Sequence, residues 1–197
     1  TPVMRRDIPH EDKNRIIRSF MFLKEKYTAE GVMDKLKSRL VANGKQQDRE
    51  LYDNLASPTA ALMSLFIVAA IAAYENRKTA TVDIGGAFLH ARPKAENPIY
   101  VVLDKVMSEI MVKIDSKYGQ YCEKNGEITV RLDKALYGCV ESALLWYNHI
   151  SGALADLGFV KNPCDSCVFN MISKGVQCTI VLHVDDLFVT CVDESVI

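Results

Sequence analysis

The sequence of 197 residues predicts an α+β fold, and three observations carry that prediction. Near the N-terminus, two segments that place apolar and basic side chains on opposite faces flank a glycine, as an antiparallel strand pair does. Long helical segments follow, one of them apolar all round. Three short strand-like segments close the chain, the last two joined by a polar turn. With 49% hydrophobic residues and 25% charged ones, the composition is that of a folding globular chain. A chain of this size buries roughly 70% of the surface its unfolded form exposes, ample for a core without disulfides or a structural metal.

The elements follow in order. Residues 20–27 and 36–42 form the strand pair around Gly31, and its polar face is basic through Lys24, Lys26, Lys35, Lys37 and Arg39. Ser57-Pro58 reads as a helix start, Ser as N-cap and Pro at the first helical position. The helix is expected to run to about Asn76 and, being apolar all round, to lie sandwiched between layers of a core. Its apolar run over residues 59–74 is broken only by Ser64 and is shorter than the roughly 18–20 residues that cross a bilayer, so no membrane contact is expected. Residues 79–84 are β-branched and stop at Gly85-Gly86, which makes a strand that carries Asp83 at its end. A helix over 106–118 and a strand over 128–132 come next. Over 141–157 apolar residues recur close to every 3.6 positions, at Ala143, Leu144, Trp146, Tyr147, Ile150, Leu154 and Leu157, and Gly158 is placed as the C-cap. Trp146 reads as a packing residue of that stripe, and packing is an alternative reading for Tyr137. Strands over 167–172, 177–183 and 187–191 finish the chain, with Val184-Asp185-Asp186 between the last two.

Lys and Arg number 24 against 25 Asp and Glu, which excludes a bulk electrostatic binder. The balance is uneven along the chain. Residues 1–49 hold 12 basic against 7 acidic side chains, and residues 50–197 hold 12 against 18, a sign asymmetry that points to polyanion contact by the first segment. The charged stretch over residues 1–15 lacks the apolar block of a secretory leader, so an intracellular, non-secreted chain is expected. Its six cysteines then read as reduced thiols. Cys164 and Cys167 have the spacing of half a zinc site, but no second Cys-x-x-Cys or His pair accompanies them.

The chemistry is expected at the acids. Strand neighbours face opposite ways, so Asp185 and Asp186 avoid sending one carboxylate into the core only if they sit at a hairpin turn. A polar turn without function accounts for that pair equally well. Asp83, at the end of another strand and followed by two glycines, tips the balance. Three carboxylates brought together repel unless cations neutralise them. Hard oxygen ligands of this kind suit Mg²⁺, and two such ions can serve an in-line phosphoryl displacement.

Lys37-Ser-Arg-Leu-Val-Ala42, Val82-Asp-Ile-Gly-Gly-Ala-Phe-Leu89, Leu132-Asp-Lys-Ala-Leu-Tyr-Gly138 with Leu145-Trp-Tyr147, Leu157-Gly-Phe159, Asp165-Ser-Cys-Val-Phe169 and His183-Val-Asp-Asp-Leu187 together resemble the ordered motifs of copia-type LTR-retrotransposon reverse transcriptases, from about Phe20 to Thr190. The resemblance implies a right-hand polymerase, fingers-like over residues 1–78 and 119–142 and palm-like over 79–118 and 143–197, with an antiparallel palm sheet packed on helices. It implies an RNA-directed DNA polymerase that adds dNTPs to a primer 3′-OH on an RNA or DNA template with two Mg²⁺ ions, or Mn²⁺. By the same resemblance Asp83, Asp185 and Asp186 are catalytic and hold metal with the carbonyl of Ile84. Lys37, Arg39, Gly85, Gly86, Ala87, Phe88, Tyr137 and Gly138 contact the nucleotide, Phe88 as the gate under the sugar, and His183 and Val184 contact the primer. His183 stands where the family usually has Tyr or Phe, Gly85-Gly86 replaces a bulkier pair, and the stretch after Gly138 lacks the family's basic residue and proline. None of these departures touches a metal ligand. The resemblance also implies thumb, RNase H and integrase segments of a Pol polyprotein, acting in a cytoplasmic virus-like particle or the nucleus. Without the thumb, template and primer are expected to be held weakly, and the second reading is a polymerase-derived remnant that folds and binds nucleic acid without catalysis.

Overall fold

A computed structural model describes residues 1–52 and 54–197. Its strands and α-helices are β1 (Pro2–Val3), β2 (Ile16–Tyr27), β3 (Met33–Ala42), α1 (Leu62–Tyr74), β4 (Lys78–Asp83), β5 (Tyr100–Leu103), α2 (Lys105–Ile114), β6 (Ile128–Arg131), α3 (Ser142–Asp156), β7 (Val160–Lys161), β8 (Val168–Ser173), β9 (Val176–His183) and β10 (Asp186–Cys191). The chain divides into two compact units, one of residues 1–55 with 91–142 and the other of residues 56–90 with 143–197. Each is α+β, with its own sheet.

In the first unit the strand order is β1-β6-β5-β2-β3, with β5 parallel to β2 and the other pairings antiparallel. Every residue of β5 is buried, as an apolar run in the interior of a sheet must be. Ile17 and Val101 lose all exposure in a core shared with Ala42, Ile99, Leu136 and Cys139. Asp104 caps α2, its carboxylate accepting from Met107 N–H at 2.9 Å. Gly31, at φ +79°, closes the turn between β2 and β3. Toward that turn both strands are exposed on both faces.

The second unit is built on an antiparallel sheet of order β4-β10-β9-β8-β7. Phe169, Leu182, Cys167, Cys178 and Cys191 are fully enclosed. Helix α1 lays Val68 against Val168 and Val181, with Leu65 and Phe188 alongside. Helix α3 buries Trp146, Tyr147, Ile150 and Leu154, the periodic stripe of the sequence. It ends as expected: Gly158 adopts φ +93°, and Phe159 N–H reaches back to Leu154 O at 3.0 Å.

Several expectations are corrected. Helix α1 begins at Leu62 rather than at Pro58, and Ser57 Oγ donates to the carbonyl of Ala143 instead of capping. Its N-terminal cap comes from outside the helix, because Asp165 accepts from Ala61 N–H at 3.0 Å. Burial would raise the Asp165 carboxyl, but hydrogen bonds from Ser64 and from the N–H groups of Ala61 and Cys167 outweigh it and hold the pKa below the ordinary carboxylate range. Nor is α1 sandwiched. Only Val68 and Ala72 are buried, while Leu62, Met63, Phe66 and Ile67 are exposed, since uniform hydrophobicity favours no face and the described residues put a sheet on one side alone. The helix expected over 106–118 stops at Ile114 and passes into a 3₁₀ turn over Ser116–Tyr121, started by the Asp115 side chain. Strand β5 is read from sequence only as part of a mixed segment. Compared with the expected fingers-like and palm-like ranges, residues 56–78 fall in the second unit because α1 packs on its sheet, and residues 91–118 fall in the first because β5 completes the sheet there. Among the described residues no helix is long and apolar enough to cross a membrane.

Candidate active site

Asp83 is the last residue of β4, Asp186 the first of β10 and His183 the last of β9. The register sets Asp186 directly opposite Asp83 on one side and His183 on the other. Directly paired residues share a face, so the three form one row across the end of the sheet. Val184 and Asp185 make the two-residue turn between β9 and β10, and Ile84 N–H donates to the carbonyl of Asp185 at 2.8 Å, which ties the end of β4 to that turn. Both aspartates of the pair thus stand at the turn, as the sequence requires.

The turn is strained. Tight hairpin turns need positive φ, which Gly, Asn and Asp supply readily, yet here Val184 takes φ +57°, a conformation disfavoured for a β-branched residue. Such strain persists only where the surroundings over-determine it. Trp146 does so: its indole N–H donates to the carbonyl of Val184 at 2.6 Å, from a ring 3% exposed. The rings of His90 and His149 flank it at 6.1 and 5.9 Å between centroids. Trp146 is therefore not a packing residue alone, because it fixes the backbone that carries Asp185 and Asp186.

Two exposed carboxylates in direct cross-strand opposition repel, so the pair favours a cation between or beside them. Their hard oxygens fit Mg²⁺, which takes one or two carboxylates and fills its shell with water and phosphate oxygens. Among the described residues no three His, Cys, Asp or Glu side chains converge to hold a metal by themselves, so the site offers a facing pair with a third acid on the turn. Beside it lies a cavity of about 430 Å³ lined by Ala61, Leu62, Leu65, His183, Asp186 and Phe188.

After β4 the chain bends through Gly86 at φ +66°, with Leu89 N–H bonded to Gly86 O at 2.7 Å, into a 3₁₀ turn over Ala87–His90. A ring nitrogen of His90 donates to Gly85 O at 3.3 Å. Gly85 and Gly86 are exposed and Phe88 is half-buried, all following directly on Asp83 and Ile84. Ala87 is fully buried, so it supports this loop from behind rather than presenting a surface to a ligand.

The remaining nucleotide candidates lie together in the first unit. On one face of the β2–β3 hairpin, Lys24 is opposite Lys37, Lys26 opposite Lys35 and Phe22 opposite Arg39. The Arg39 guanidinium stands 5.8 Å from the centre of the Tyr137 ring. Ala42 N–H donates to Tyr137 O at 2.7 Å, and Gly138, at φ +92°, lies so close to the Ala42 carbonyl that a Cβ would collide with it. The loop of Tyr137 and Gly138 is thus docked on the end of β3. A polar cluster that the sequence reading missed holds it there. Gln47 accepts from Val140 N–H at 2.8 Å and donates to Tyr52 and to Glu141, the latter at 3.0 Å. Glu141 is 7% exposed, and burial lifts its carboxyl above the ordinary range despite those hydrogen bonds. Burial, joined by the neighbouring Glu141 charge, pushes the Tyr52 hydroxyl up to about 12. Cys164 is exposed and Cys167 buried, both as free thiols.

The site is thus a strand-end acid pair with a third aspartate on a strained turn. Residues 6–197 match the family model described as reverse transcriptase (RNA-dependent DNA polymerase), and the chain belongs to that family. It is similar to the Pol polyprotein of transposon RE1 from Arabidopsis thaliana, 28% identical over 88% of this chain and 11% of the relative. It is also similar to the Pol polyprotein of transposon TNT 1-94 from Nicotiana tabacum, 24% identical over 82% and 11%. The Gag-Pol polyprotein of transposon Ty1-DR4 from Saccharomyces cerevisiae is 29% identical over 89% of this chain and 9% of its own length. The chain spans about a tenth of the length of these relatives. No solved structure matches it.

Proposed function

We propose that this chain is the part of a retrotransposon reverse transcriptase that joins a dNTP to a primer 3′-OH on an RNA or DNA template, the first unit serving as fingers and the second as palm. The observation that carries the reading is the register that sets Asp83 against Asp186 with Asp185 on the adjoining turn. Asp83, Asp185, Asp186 and the carbonyl of Ile84 would hold two Mg²⁺ ions, which when bound activate the attacking oxygen and stabilise the leaving pyrophosphate. The chain's own residues supply position and charge. Trp146 keeps the turn that bears two of the acids in one conformation, so little reorganisation accompanies the reaction. Lys37 and Arg39 meet the triphosphate, Tyr137 and Gly138 border the nucleotide, Phe88 lies under its sugar, and His183, in the row of acids, meets the primer end. Thumb, RNase H and integrase segments of a Pol polyprotein are the expected neighbours.

Primer extension on an RNA template, with and without Mg²⁺, tests the reading. The parent chain should extend in a Mg²⁺-dependent way, and Asp185→Asn should lower the rate by about 10³-fold or more without shifting the unfolding transition downward. Normal extension by Asp185→Asn would sink the assignment. A parent chain that binds template and primer but extends nothing would make it a non-catalytic remnant.

A further inference from the structure

In the first unit, residues 91–99 and 131–135 run side by side and are tied at both ends, by Ala135 N–H to Ala91 O at 3.0 Å and by Leu132 N–H to Ile99 O at 2.9 Å. Between the ties they enclose a cleft of about 480 Å³. Pro93 and Pro98 fix φ on one lip, and Asn97 N–H bonds back to Lys94 O at 3.1 Å, so the frame is stiff without a ligand. Arg92 and Lys94 stand on this lip, Arg131 and Lys134 on the other, and all four are exposed. Asp133 is the acid in the lining; it pairs with Arg131 at 3.5 Å, both side chains about half exposed. Among the described residues no carboxylate lies within 4.0 Å of Arg92, Lys94 or Lys134. Four cations gathered around one cleft repel, and among the described residues Arg131 alone of the four has an acidic partner.

We propose that this cleft is a nucleic-acid contact separate from the acidic site and from the Lys37–Arg39 face, and that it takes the phosphodiester backbone of a single strand. The lining selects that ligand. Among the described residues no aromatic side chain lines the cleft, so a base has no platform on which to stack, and a mononucleotide would leave its base and sugar unheld. Cations spread along both lips suit successive phosphates of a strand, which position it without reading sequence. The inference rests on the reverse-transcriptase reading for the class of polymer, and its test does not depend on catalysis.

The test is binding of a fluorescein-labelled single-stranded RNA to the whole chain, followed by anisotropy across a salt series. Arg92→Glu with Lys134→Glu, one change on each lip, should weaken binding at least tenfold and reduce the slope of log affinity against log salt by about 1.4, as expected for two lost phosphate contacts on a single strand. Lys113→Glu with Lys117→Glu makes the same change in net charge elsewhere in the unit, on two exposed side chains, and should alter affinity less than twofold. An equal loss in both double variants, no loss in the first, or no measurable RNA binding by the parent overturns the proposal. Complete displacement of the RNA by an equal concentration of dNTP overturns it too, since the cleft would then be a mononucleotide site. The catalytic reading is scored separately, by primer extension with Asp185→Asn. If that variant extends primers normally, the catalytic reading fails while the binding arms still stand or fall on their own.

Discussion

Lys24 faces Lys37 and Lys26 faces Lys35 in the β2–β3 hairpin, while Asp83 faces Asp186 where β4 meets β10. Directly opposed like charges cost a few tenths to about 1 kcal/mol each, so neither arrangement serves folding. They differ in how firmly they are held. The lysines stand on strands exposed on both faces, with long side chains free to spread. The acids stand on short side chains, Asp186 at the end of the buried strand β10 and Asp83 paired to it from the exposed β4, beside a strained turn fixed by an indole. The basic surface can adapt to a charged ligand of variable shape, whereas the acidic end is set in advance, as a site that must position a reacting group requires.

That contrast can be broken at its anchors. The largest effect is expected at Gly138, which docks the loop of Tyr137 and Gly138 on the end of β3. Gly138→Ala should lose about 3 kcal/mol or more, because a Cβ meets backbone at positive φ, and urea unfolding would report it. Next comes the acidic turn. Trp146→Phe keeps an aromatic ring but leaves the Val184 carbonyl unbonded, and should lower stability by about 1–2 kcal/mol while cutting extension more than tenfold. Extension unchanged in that variant would mean the turn holds itself. Removing either like-charge pair should then raise stability, by about 0.2–1 kcal/mol for Lys24→Glu and for Asp83→Asn, the second abolishing extension. A fall in stability for both would show that the opposed charges are not a burden on the fold.

The smallest effect concerns pH. The folded pKa of Glu141 is raised by burial, so the folded state holds that proton longer than the unfolded chain. Its contribution to stability is complete below the ordinary carboxylate pKa and is lost as pH rises through the raised value. Glu141→Gln should flatten the decline of stability that the parent shows above about pH 4.3. A decline identical in parent and variant would place the raised carboxyl elsewhere.

Periodicity made α3 legible down to its glycine cap, and alternation with turn residues made the β9–β10 hairpin legible, because each is decided by neighbours in sequence. What the sequence withheld depends on partners distant in the chain. The cap of α1 is an aspartate 104 positions away, which no local pattern announces, and Ser57-Pro58 supplied a plausible but unused start. Strand β5 is short and apolar on both faces, a pattern shared by buried helices, so only its place between β6 and β2 defines it. In the candidate site the three aspartates were readable from strand ends and turn chemistry. The roles of Trp146 and of the Gln47, Tyr52 and Glu141 cluster were not, since an apolar stripe says that a side chain is buried but not what its polar atom meets.

Trp146 is the one tryptophan of the chain. Because its indole is bonded to the turn between β9 and β10, fluorescence excited at wavelengths that tyrosine does not absorb arises at the acidic site. Emission wavelength should track the integrity of that turn, and quenching by paramagnetic Mn²⁺ should report ion occupancy in the unlabelled protein, with Asp83→Asn as the dark control that abolishes the response.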